Sequence, residues 1–323
     1  MKKVISLIII IFILLNFFAC SKKDNASNGY VKKKVVISYG ATYTQIVNQT
    51  IMLKDLLSPL LPDDVSVEWS NLVNTQDIRD AATAGKMDIF TLSASGAISA
   101  IENGLPFHII SNQVAGYAKI LTTKDYIVNI SDLTSDSKVT VSSKGSTPHL
   151  IFSLYCLDVL HNATIYDNAL VPVPDADAIG LIQTSHDYDA YILSFPACYK
   201  IPDYVNYHVV DDITPTSLKY NVGTYILTTE EFEENNPVII EAFKKASAQA
   251  VDLLNNDTYE IAVLLSDFYD VQPELLAETI HQCPPKLEIS GYDDIANLML
   301  EMGILTKPAK KFSELSNYKE IPK

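Results

Sequence analysis

The sequence predicts an α/β protein with two lobes, and three features of the chain indicate this fold class. Strand-like and helix-like segments alternate from Lys34 to about residue 229. The alternation occurs twice, in blocks that meet near residues 115–122, and the chain turns helical from Pro237 onward. The 323 residues, 48% of them hydrophobic, are enough for two medium-sized domains. We expect the C-terminal helices to return to the first lobe.

The first block is predicted to hold strands and helices in alternation up to residue 123. Short apolar or alternating runs predict strands at KVVISYG (34–40), VSVEWS (65–70), MDIFTLS (87–93), FHIISNQ (107–113) and YAKILTT (117–123). Helices are predicted over residues 42–61, 75–85 and 95–104. The first of them ends near Pro59, and the second ends at Gly85.

The second block repeats the pattern. Strands are predicted at VTVSS (139–143), NALVPVP (168–174), YDAYILSFP (188–196) and VGTYILTT (222–229), with helices over residues 148–161 and 176–186. Such alternation favours largely parallel sheets. In open α/β sheets ligands bind beyond the carboxyl ends of the strands, so the loops that follow the strands form the candidate site.

Six short polar loops follow predicted strands: SYGAT (38–42), SNLVNT (70–75), LSASG (92–96), SNQ (111–113), SSKGSTP (142–148) and SFPA (194–197). Their small residues leave backbone N–H groups approachable at helix starts, which suits ligand binding. The predicted ligand contacts are Tyr39, Ala41, Thr42, Asn74, Ser93, Ala94, Ser95, Asn112, Gly145, Ser146, Thr147 and Phe195. Candidate stacking surfaces are Tyr39, Tyr43, Trp69 and Phe195. The alternatives are simple helix caps at Thr42, Ser93 and Ser95, and core packing of Trp69.

The turn SSKGSTP lies between a predicted strand and a predicted helix, and three uses of it can be compared. A phosphate-binding P-loop requires GxxxxGK[ST], whereas here Lys144 precedes a lone Gly145. A nucleophilic pair of Ser146 or Thr147 with His149 has no Asp or Glu placed by the sequence to orient the imidazole. The third use is solute binding, which requires only exposed backbone N–H groups at a helix start, and Gly145 leaves these groups approachable.

Charge and composition exclude several classes of partner. The net charge is −15, and removal of a leader would take away Lys2 and Lys3 as well. Nucleic-acid binding needs clustered basic residues, so this balance opposes it, and we expect no nucleic-acid partner. Arg79 is the only arginine, which nearly excludes bidentate guanidinium clamps. EEFEEN (230–235) is interpreted as surface or helix-start charge. No metal site and no cofactor are expected from the scattered histidines, which include His108, His161, His186, His208 and His281.

The N-terminus predicts export. It has a basic start, an apolar run that is short for a membrane span, and a small residue before Cys20. FFAC (17–20) resembles a bacterial lipobox, although the family pattern prefers leucine at the position of Phe17. The resemblance implies a signal peptide over residues 1–19, lipidation of Cys20 and a polar tether over residues 20–34. The alternatives are a plain secretory signal and an uncleaved anchor.

The remaining cysteines give no metal-binding spacing. Cys156, Cys198 and Cys283 are an odd and widely spaced set, without a CxxC or Cys/His pattern. A Cys156–Cys198 disulfide is compatible with an exported protein. Buried free thiols are the alternative that we favour.

Two long segments resemble the solute-binding proteins of the sulfonate/nitrate/taurine/thiamine-precursor group of ABC transporters. GKMDIFTLSASGAISAIENGLPFHIISN (85–112) is followed by ISDLTSDSKVTVSSKGSTPHLIFSLYCLDV (130–159), and YDAYILSFPACYKI (188–201) is similar to a later strand and loop of that group. The resemblance covers about residues 35–305. It implies a two-lobed type II periplasmic-binding-protein-like fold with a ligand cleft between the lobes. Lobe 1 would comprise residues 35–116 and 223–323, and lobe 2 residues 117–222.

The same resemblance implies a function without chemistry on the ligand. The lobes would close on a small-molecule solute, and the closed form would dock on an ABC permease in the membrane. We expect a monomer held by its lipid anchor on the extracytoplasmic face of a bacterial cell membrane. The tyrosine-rich composition (18 Tyr) favours a thiamine-type pyrimidine or other heteroaromatic ligand, with a sulfonate, taurine or nitrate as the alternative.

Two functions of other classes are alternatives. A non-transport surface sensor could use the same two lobes, and gene neighbours that encode a permease and an ATPase would separate transport from sensing. A thiamine-pyrimidine synthase-like enzyme shares the fold, but that resemblance would require clustered cysteines in an intracellular protein. The export signal and the dispersed cysteines argue against the enzyme.

Overall fold

Two five-stranded β-sheets form the centre of the computed structural model, which describes residues 32–72 and 75–315. The predicted signal peptide, Cys20 and residues 20–31 of the predicted tether lie outside the described residues. In chain order the strands are β1 (Lys34–Tyr39), β2 (Ser66–Asn71), β3 (Ile89–Ser93), β4 (Phe107–Ala115), β5 (Ala118–Thr122), β6 (Val139–Val141), β7 (Leu170–Pro172), β8 (Ala190–Ser194), β9 (His208–Asp212) and β10 (Gly223–Thr229).

Each sheet mixes parallel and antiparallel neighbours. The first sheet has the order β2-β1-β3-β10-β4, and the second has the order β7-β6-β8-β5-β9. β1 is parallel to β2 and β3, and β6 is parallel to β7 and β8. β10 and β5 run antiparallel to both of their neighbours. Four of the five strands in each sheet therefore run in the same direction, as predicted, and the exception is the strand that enters each sheet from the other one.

The two sheets define two lobes. The first sheet takes its strands from residues 34–115 and 223–229, and the second takes its strands from residues 118–212. Helices alternate with the strands in both parts of the chain. The predicted α/β class and two-lobed architecture are confirmed.

The two segments in which the chain crosses between the lobes lie side by side. The Gly116 N–H donates to the Val222 carbonyl at 2.8 Å. Next to this bond, a Cβ atom on Gly223 would lie 2.0 Å from the carbonyl oxygen of Val114. Because only glycine lacks a Cβ atom, no other residue allows the two backbones to approach this closely.

The described residues form eleven α-helices: α1 (Ile46–Leu53), α2 (Thr75–Thr83), α3 (Ala94–Glu102), α4 (Thr147–Leu160), α5 (Asp175–Thr184), α6 (Thr214–Tyr220), α7 (Glu230–Asn235), α8 (Pro237–Asn256), α9 (Thr258–Tyr269), α10 (Pro273–Gln282) and α11 (Tyr292–Glu301). Within this part of the chain, none of the helices is both long and apolar enough to span a membrane. The helix predicted over residues 42–61 is much shorter than expected. It ends at Leu53 because Asp55 adopts a left-handed φ of 48°, which cannot continue a right-handed helix.

The sequence pattern does not predict β9, α6 or α7. β9 is the edge strand of its sheet and carries Asp211 and Asp212, so it lacks the continuous apolar run of a central strand. α7 is formed by EEFEEN, and the Thr229 hydroxyl caps it by accepting the Phe232 N–H at 3.1 Å. Glu230, Glu231 and Glu233 lie in the first turn, which agrees with the interpretation of this acidic run as helix-start charge.

α8 shows why the C-terminal part of the chain is helical. Its buried residues recur every three or four positions, at Ile239, Phe243, Ala246, Ala250 and Leu254. This spacing gives one apolar face of a helix. α8 packs against α1, which precedes β2 of the first sheet. α11 contacts both α3 and α4 and therefore touches both lobes.

The three cysteines outside the N-terminal region are buried free thiols. Cys156 lies in α4, Cys198 follows β8, and Cys283 follows α10. Burial raises the pKa of each thiol to about 12, so these side chains are neutral at physiological pH. The favoured alternative is confirmed, and no Cys156–Cys198 disulfide is formed.

Candidate ligand-binding site

A cleft of about 800 Å³ is lined by residues from both lobes. On one side Ala41 follows β1 and Ser93 ends β3, while on the other side Ser142 follows β6 and Ser194 ends β8. These are the carboxyl ends of parallel strands, where open α/β sheets bind their ligands. The volume is that of a small-molecule site. Eight of the twelve predicted contacts line the cleft, namely Ala41, Thr42, Ser93, Ser95, Gly145, Ser146, Thr147 and Phe195.

The other predicted contacts lie away from the lining or outside the described residues. Tyr39 ends β1 and packs edge-on against an aromatic side chain of α9, with ring centroids 6.5 Å apart. Ala94 is fully buried at the start of α3. Asn112 is fully buried in β4, and its amide donates to a side-chain oxygen and a carbonyl of two neighbouring segments. Asn74 is not among the described residues. Trp69, a candidate stacking surface, packs against the buried core from β2.

Gly145 holds the SSKGSTP turn through both of its backbone polar groups. Its φ is 78°, which is the left-handed region that glycine adopts readily. Its N–H donates to His149 Nδ1 at 2.7 Å, and its carbonyl accepts the Ser95 hydroxyl at 2.6 Å. The Gly145 N–H is therefore engaged within the protein. The N–H groups that the sequence predicts for a solute are those of the helix start that follows, and Gly145 does not add its own.

The start of α4 still offers a donor to the cleft. The Ser146 hydroxyl donates to the Ser143 carbonyl at 2.7 Å and makes no cap hydrogen bond with the helix. Among the described residues, no hydrogen bond of the Thr147 N–H is found, and Thr147 lines the cleft. A helix N-terminus with a free N–H suits an acceptor or anionic group of a ligand.

His149 supports the turn as a neutral acceptor. Burial, together with the nearby positive charge of Lys144, lowers the pKa of His149 to about 4. Its Nε2 atom is buried and lies 4.0 Å from the Asp167 carboxylate, which is beyond hydrogen-bond distance. Because the Ser146 hydroxyl is bonded to the Ser143 carbonyl and not to this imidazole, the residues do not form a nucleophile and base pair.

One of the three alternative helix caps is present. The Ser93 hydroxyl accepts the Gly96 N–H at 3.2 Å and caps α3. Ser95 instead donates to the Gly145 carbonyl, so a side chain of the first lobe reaches the turn of the second. Thr42 makes no cap hydrogen bond. The two lobes are therefore joined across the cleft by a direct hydrogen bond in this conformation.

Phe195 lines the cleft as part of an aromatic cluster. It is only 4% exposed. Its ring centroid lies 5.6–6.1 Å from those of Tyr43, Tyr117, Tyr199 and Tyr269, each at a steep interplanar angle. Aromatic rings prefer such edge-to-face packing. Little of the Phe195 ring face is left for stacking on a ligand.

Four charged side chains that the sequence patterns did not select also line the cleft: Arg79, Lys144, Asp175 and Lys200. Arg79, the single arginine of the sequence, lies in α2. Asp175 begins α5 and looks like ordinary helix-start charge in the sequence. The wall thus carries three cationic groups and one carboxylate in a protein whose net charge is −15.

The histidine in β4 has a structural role. His108 bonds Glu233 at 2.7 Å and Glu230 at 3.1 Å, which ties α7 to the first sheet. Burial alone would lower the pKa of His108, but these carboxylates raise it above its ordinary value. Over residues 32–72 and 75–315, no group of three or more His, Cys, Asp or Glu side chains is placed to hold a metal ion.

The architecture and the cleft together define a class of protein fold. Two α/β lobes, each built on a mixed five-stranded sheet, are joined by adjacent crossing segments and line one cleft. This is the two-lobed periplasmic-binding-protein fold. No protein-family model and no curated protein matches the sequence.

Solved structures share this fold over most of the chain. The periplasmic aliphatic sulphonate-binding protein SsuA from Escherichia coli is 18% identical with a TM-score of 0.68, and the match covers 86% of this chain and 90% of that one. The alkanesulfonate-binding protein SsuA from Xanthomonas axonopodis pv. citri, bound to MOPS, is 15% identical with a TM-score of 0.68, over 86% and 96%. A ligand-binding component of an ABC-type import system from Staphylococcus aureus, with zinc bound, is 15% identical with a TM-score of 0.69, over 86% and 94%. The two SsuA proteins are named as sulfonate-binding proteins, which is one of the classes in the group that the sequence resembles.

Proposed function

We propose that the chain is the extracytoplasmic solute-binding component of an ABC importer and captures a small molecule in the cleft between its lobes. The observation that carries this proposal is the cleft of about 800 Å³, which is walled by strand ends and helix starts of both lobes. The structural neighbours named as sulfonate-binding or import components support it.

The proposed mechanism is closure of the lobes without chemistry on the ligand. The crossing segments are short and paired, so rotation about them changes the width of the cleft without disturbing either sheet. A ligand that contacts both lobes stabilises the closed form, which then docks on a membrane permease. Ser146 has no base beside it, which supports binding without catalysis. We propose that the protein acts as a monomer.

Two ligand classes are candidates within this function. A sulfonate is supported by the neighbours named for sulfonate binding, by Arg79 and Lys144 in the wall, and by the free Thr147 N–H at the start of α4. A thiamine-type pyrimidine or other heteroaromatic molecule is the second candidate. Its support is weaker because the Phe195 ring is enclosed by other aromatic side chains.

A thermal-shift screen of the purified protein tests the proposed function. The panel contains alkanesulfonates, taurine, nitrate, thiamine-type pyrimidines and flavins. We expect at least one probe to raise the melting temperature with the concentration dependence of mass action, and calorimetry to give one site per chain. The recovered ligand should be chemically unchanged. Conversion of the ligand by the pure protein, or no stabilisation by any probe, would contradict the proposal.

Lipid anchoring through Cys20 is a separate part of the proposal. We expect Cys20→Ser to release the protein from membranes or to leave the precursor uncleaved, because the lipobox cysteine would be both the lipidated residue and the new N-terminus. The measurement is membrane fractionation together with the size of the precursor. Ser27→Ala, in the predicted tether, is the matched control and should behave like the parent. Normal processing and membrane association of Cys20→Ser would refute the anchor.

A further inference from the structure

Asp175 places a carboxylate in the wall of the cleft. It is the first residue of α5, just beyond β7. Its Oδ2 atom accepts the backbone N–H and the hydroxyl of Ser194 at the end of β8. Its Oδ1 atom is buried and has no hydrogen-bond partner in the part of the chain that the structure describes. One oxygen is fixed by the protein, and the other lacks a donor.

Two of the three cations of the wall contact side chains other than Asp175. The Lys200 ammonium lies 3.1 Å from Asp270 Oδ2, and the Arg79 guanidinium donates to Gln76. The charge of Lys144 acts on Asp167, where it opposes the rise in pKa that burial causes. Among the described residues, no cationic side chain of the cleft wall donates a hydrogen bond to Asp175 Oδ1.

A buried carboxylate oxygen without a donor is costly. Buried polar atoms are nearly always hydrogen-bonded, and a missing partner leaves the desolvation penalty uncompensated. Burial accordingly raises the pKa of Asp175, and the hydrogen bonds from Ser194 work against that rise. In a cleft that encloses a solute, the solute can supply the missing donor.

We propose that Asp175 Oδ1 is a ligand subsite that selects solutes with an N–H donor, either a protonated amine or the amino group of a heteroaromatic ring. The inference rests on the proposed function, since it requires that the cleft binds a solute. A cationic N–H makes the stronger bond to a carboxylate. Arg79 and Lys144 lie elsewhere in the same wall. A solute with both an acceptor group and an N–H donor can therefore contact these cations through the acceptor and Asp175 through the donor.

Asp175→Asn tests the subsite with little change in shape. The amide oxygen can still accept from Ser194, while the amide nitrogen replaces Oδ1 and presents a donor where the solute needs an acceptor. Asp177→Asn is the matched control, because Asp177 is exposed, lies in the same first turn of α5 and is not part of the cleft lining. Each variant removes one charge near the same helix N-terminus, so a difference between them reports on Oδ1.

Two matched pairs of probes separate the sources of the N–H donor. Taurine and ethanesulfonate differ by an ammonium group, and 4-amino-5-hydroxymethyl-2-methylpyrimidine and its 4-oxo counterpart differ by an aromatic amine. We expect the parent to bind the amino member of at least one pair about tenfold or more tightly by calorimetry. Asp175→Asn should abolish that preference, and Asp177→Asn should keep it. The pair that shows the preference identifies the donor.

Three results would overturn the inference. Equal affinity of the parent for both members of each pair, or an unchanged preference in Asp175→Asn, overturns the subsite while the proposed function stands. No binding by these probes or by any other member of the thermal-shift panel overturns the proposed function and the subsite with it. Should Asp175→Asn fail to fold, Asp175→Ala removes the same oxygen and is measured in its place.

Discussion

Gly223→Ala is expected to destabilise the protein by about 3 kcal/mol or more, since overpacking against a rigid neighbour falls at the upper end of such changes. The added methyl carbon would lie 2.0 Å from the Val114 carbonyl oxygen and 3.2 Å from the Ala115 Cα atom. These are backbone atoms of β4, so no side chain can rotate to make room. The crossing segments must separate, which also breaks the hydrogen bond from Gly116 to Val222.

Gly180→Ala is the matched control for this prediction. The same change is made in the middle of α5, where nothing lies within 4 Å of the added methyl group. Alanine favours a helix by roughly 1 kcal/mol over glycine, so this variant should melt at or above the parent temperature. The melting temperature of Gly223→Ala should lie roughly 6–12 °C below that of the parent, since each kcal/mol lowers the melting temperature by about 2–4 °C in a domain of similar size. Equal melting temperatures of the two variants would contradict the close approach of the crossing segments.

The strands and the cleft-facing loops are largely predictable because their signals are local. VTVSS is a β-branched run that ends in a polar turn, and the proline just inside the next helix marks its start; β6 and α4 are found there. Strand direction is different. VGTYILTT predicts β10 correctly, yet Thr224 pairs with Ser93 in a part of the chain more than a hundred residues away. Nothing local states whether that pairing is parallel or antiparallel.

The polar contacts within the site are less predictable for the same reason. In the sequence, Asp175 has the pattern of an ordinary acidic residue at a helix start. The donors that orient its carboxylate are the N–H and hydroxyl of Ser194, which ends β8 and lies 19 residues later in the chain. His149 lies four residues after Gly145, a spacing that is visible in the sequence. Its role as an acceptor depends on burial, which keeps the imidazole neutral by lowering its pKa to about 4. Burial of this kind is set by tertiary packing and not by neighbouring residues.

Gly145→Val is expected to weaken binding of the solute by about tenfold or more, which corresponds to about 1.4 kcal/mol. Valine is strained at the φ of 78° found here, at a cost on the order of 1–3 kcal/mol, so the turn must change its backbone conformation. That change breaks the hydrogen bond from the residue 145 N–H to His149 and the one from the Ser95 hydroxyl to the residue 145 carbonyl. It also moves the start of α4, where Thr147 lines the cleft and its N–H has no hydrogen bond among the described residues.

Ser146→Ala is the control that separates this turn conformation from a simple loss of polarity. The Ser146 hydroxyl donates to the Ser143 carbonyl and does not cap α4. Its removal should therefore lower the free energy of unfolding by about 1 kcal/mol and leave the backbone of the turn in place. Both variants are to be titrated calorimetrically with the probe that gives the largest thermal shift, and melted in parallel to verify folding. If folded Gly145→Val binds as tightly as the parent, the turn only connects β6 with α4. The solute would then be held by the other strand ends, beginning with the loops at Ala41 and Ser93, and the hydrogen bond from Ser95 to Gly145 would serve lobe contact alone.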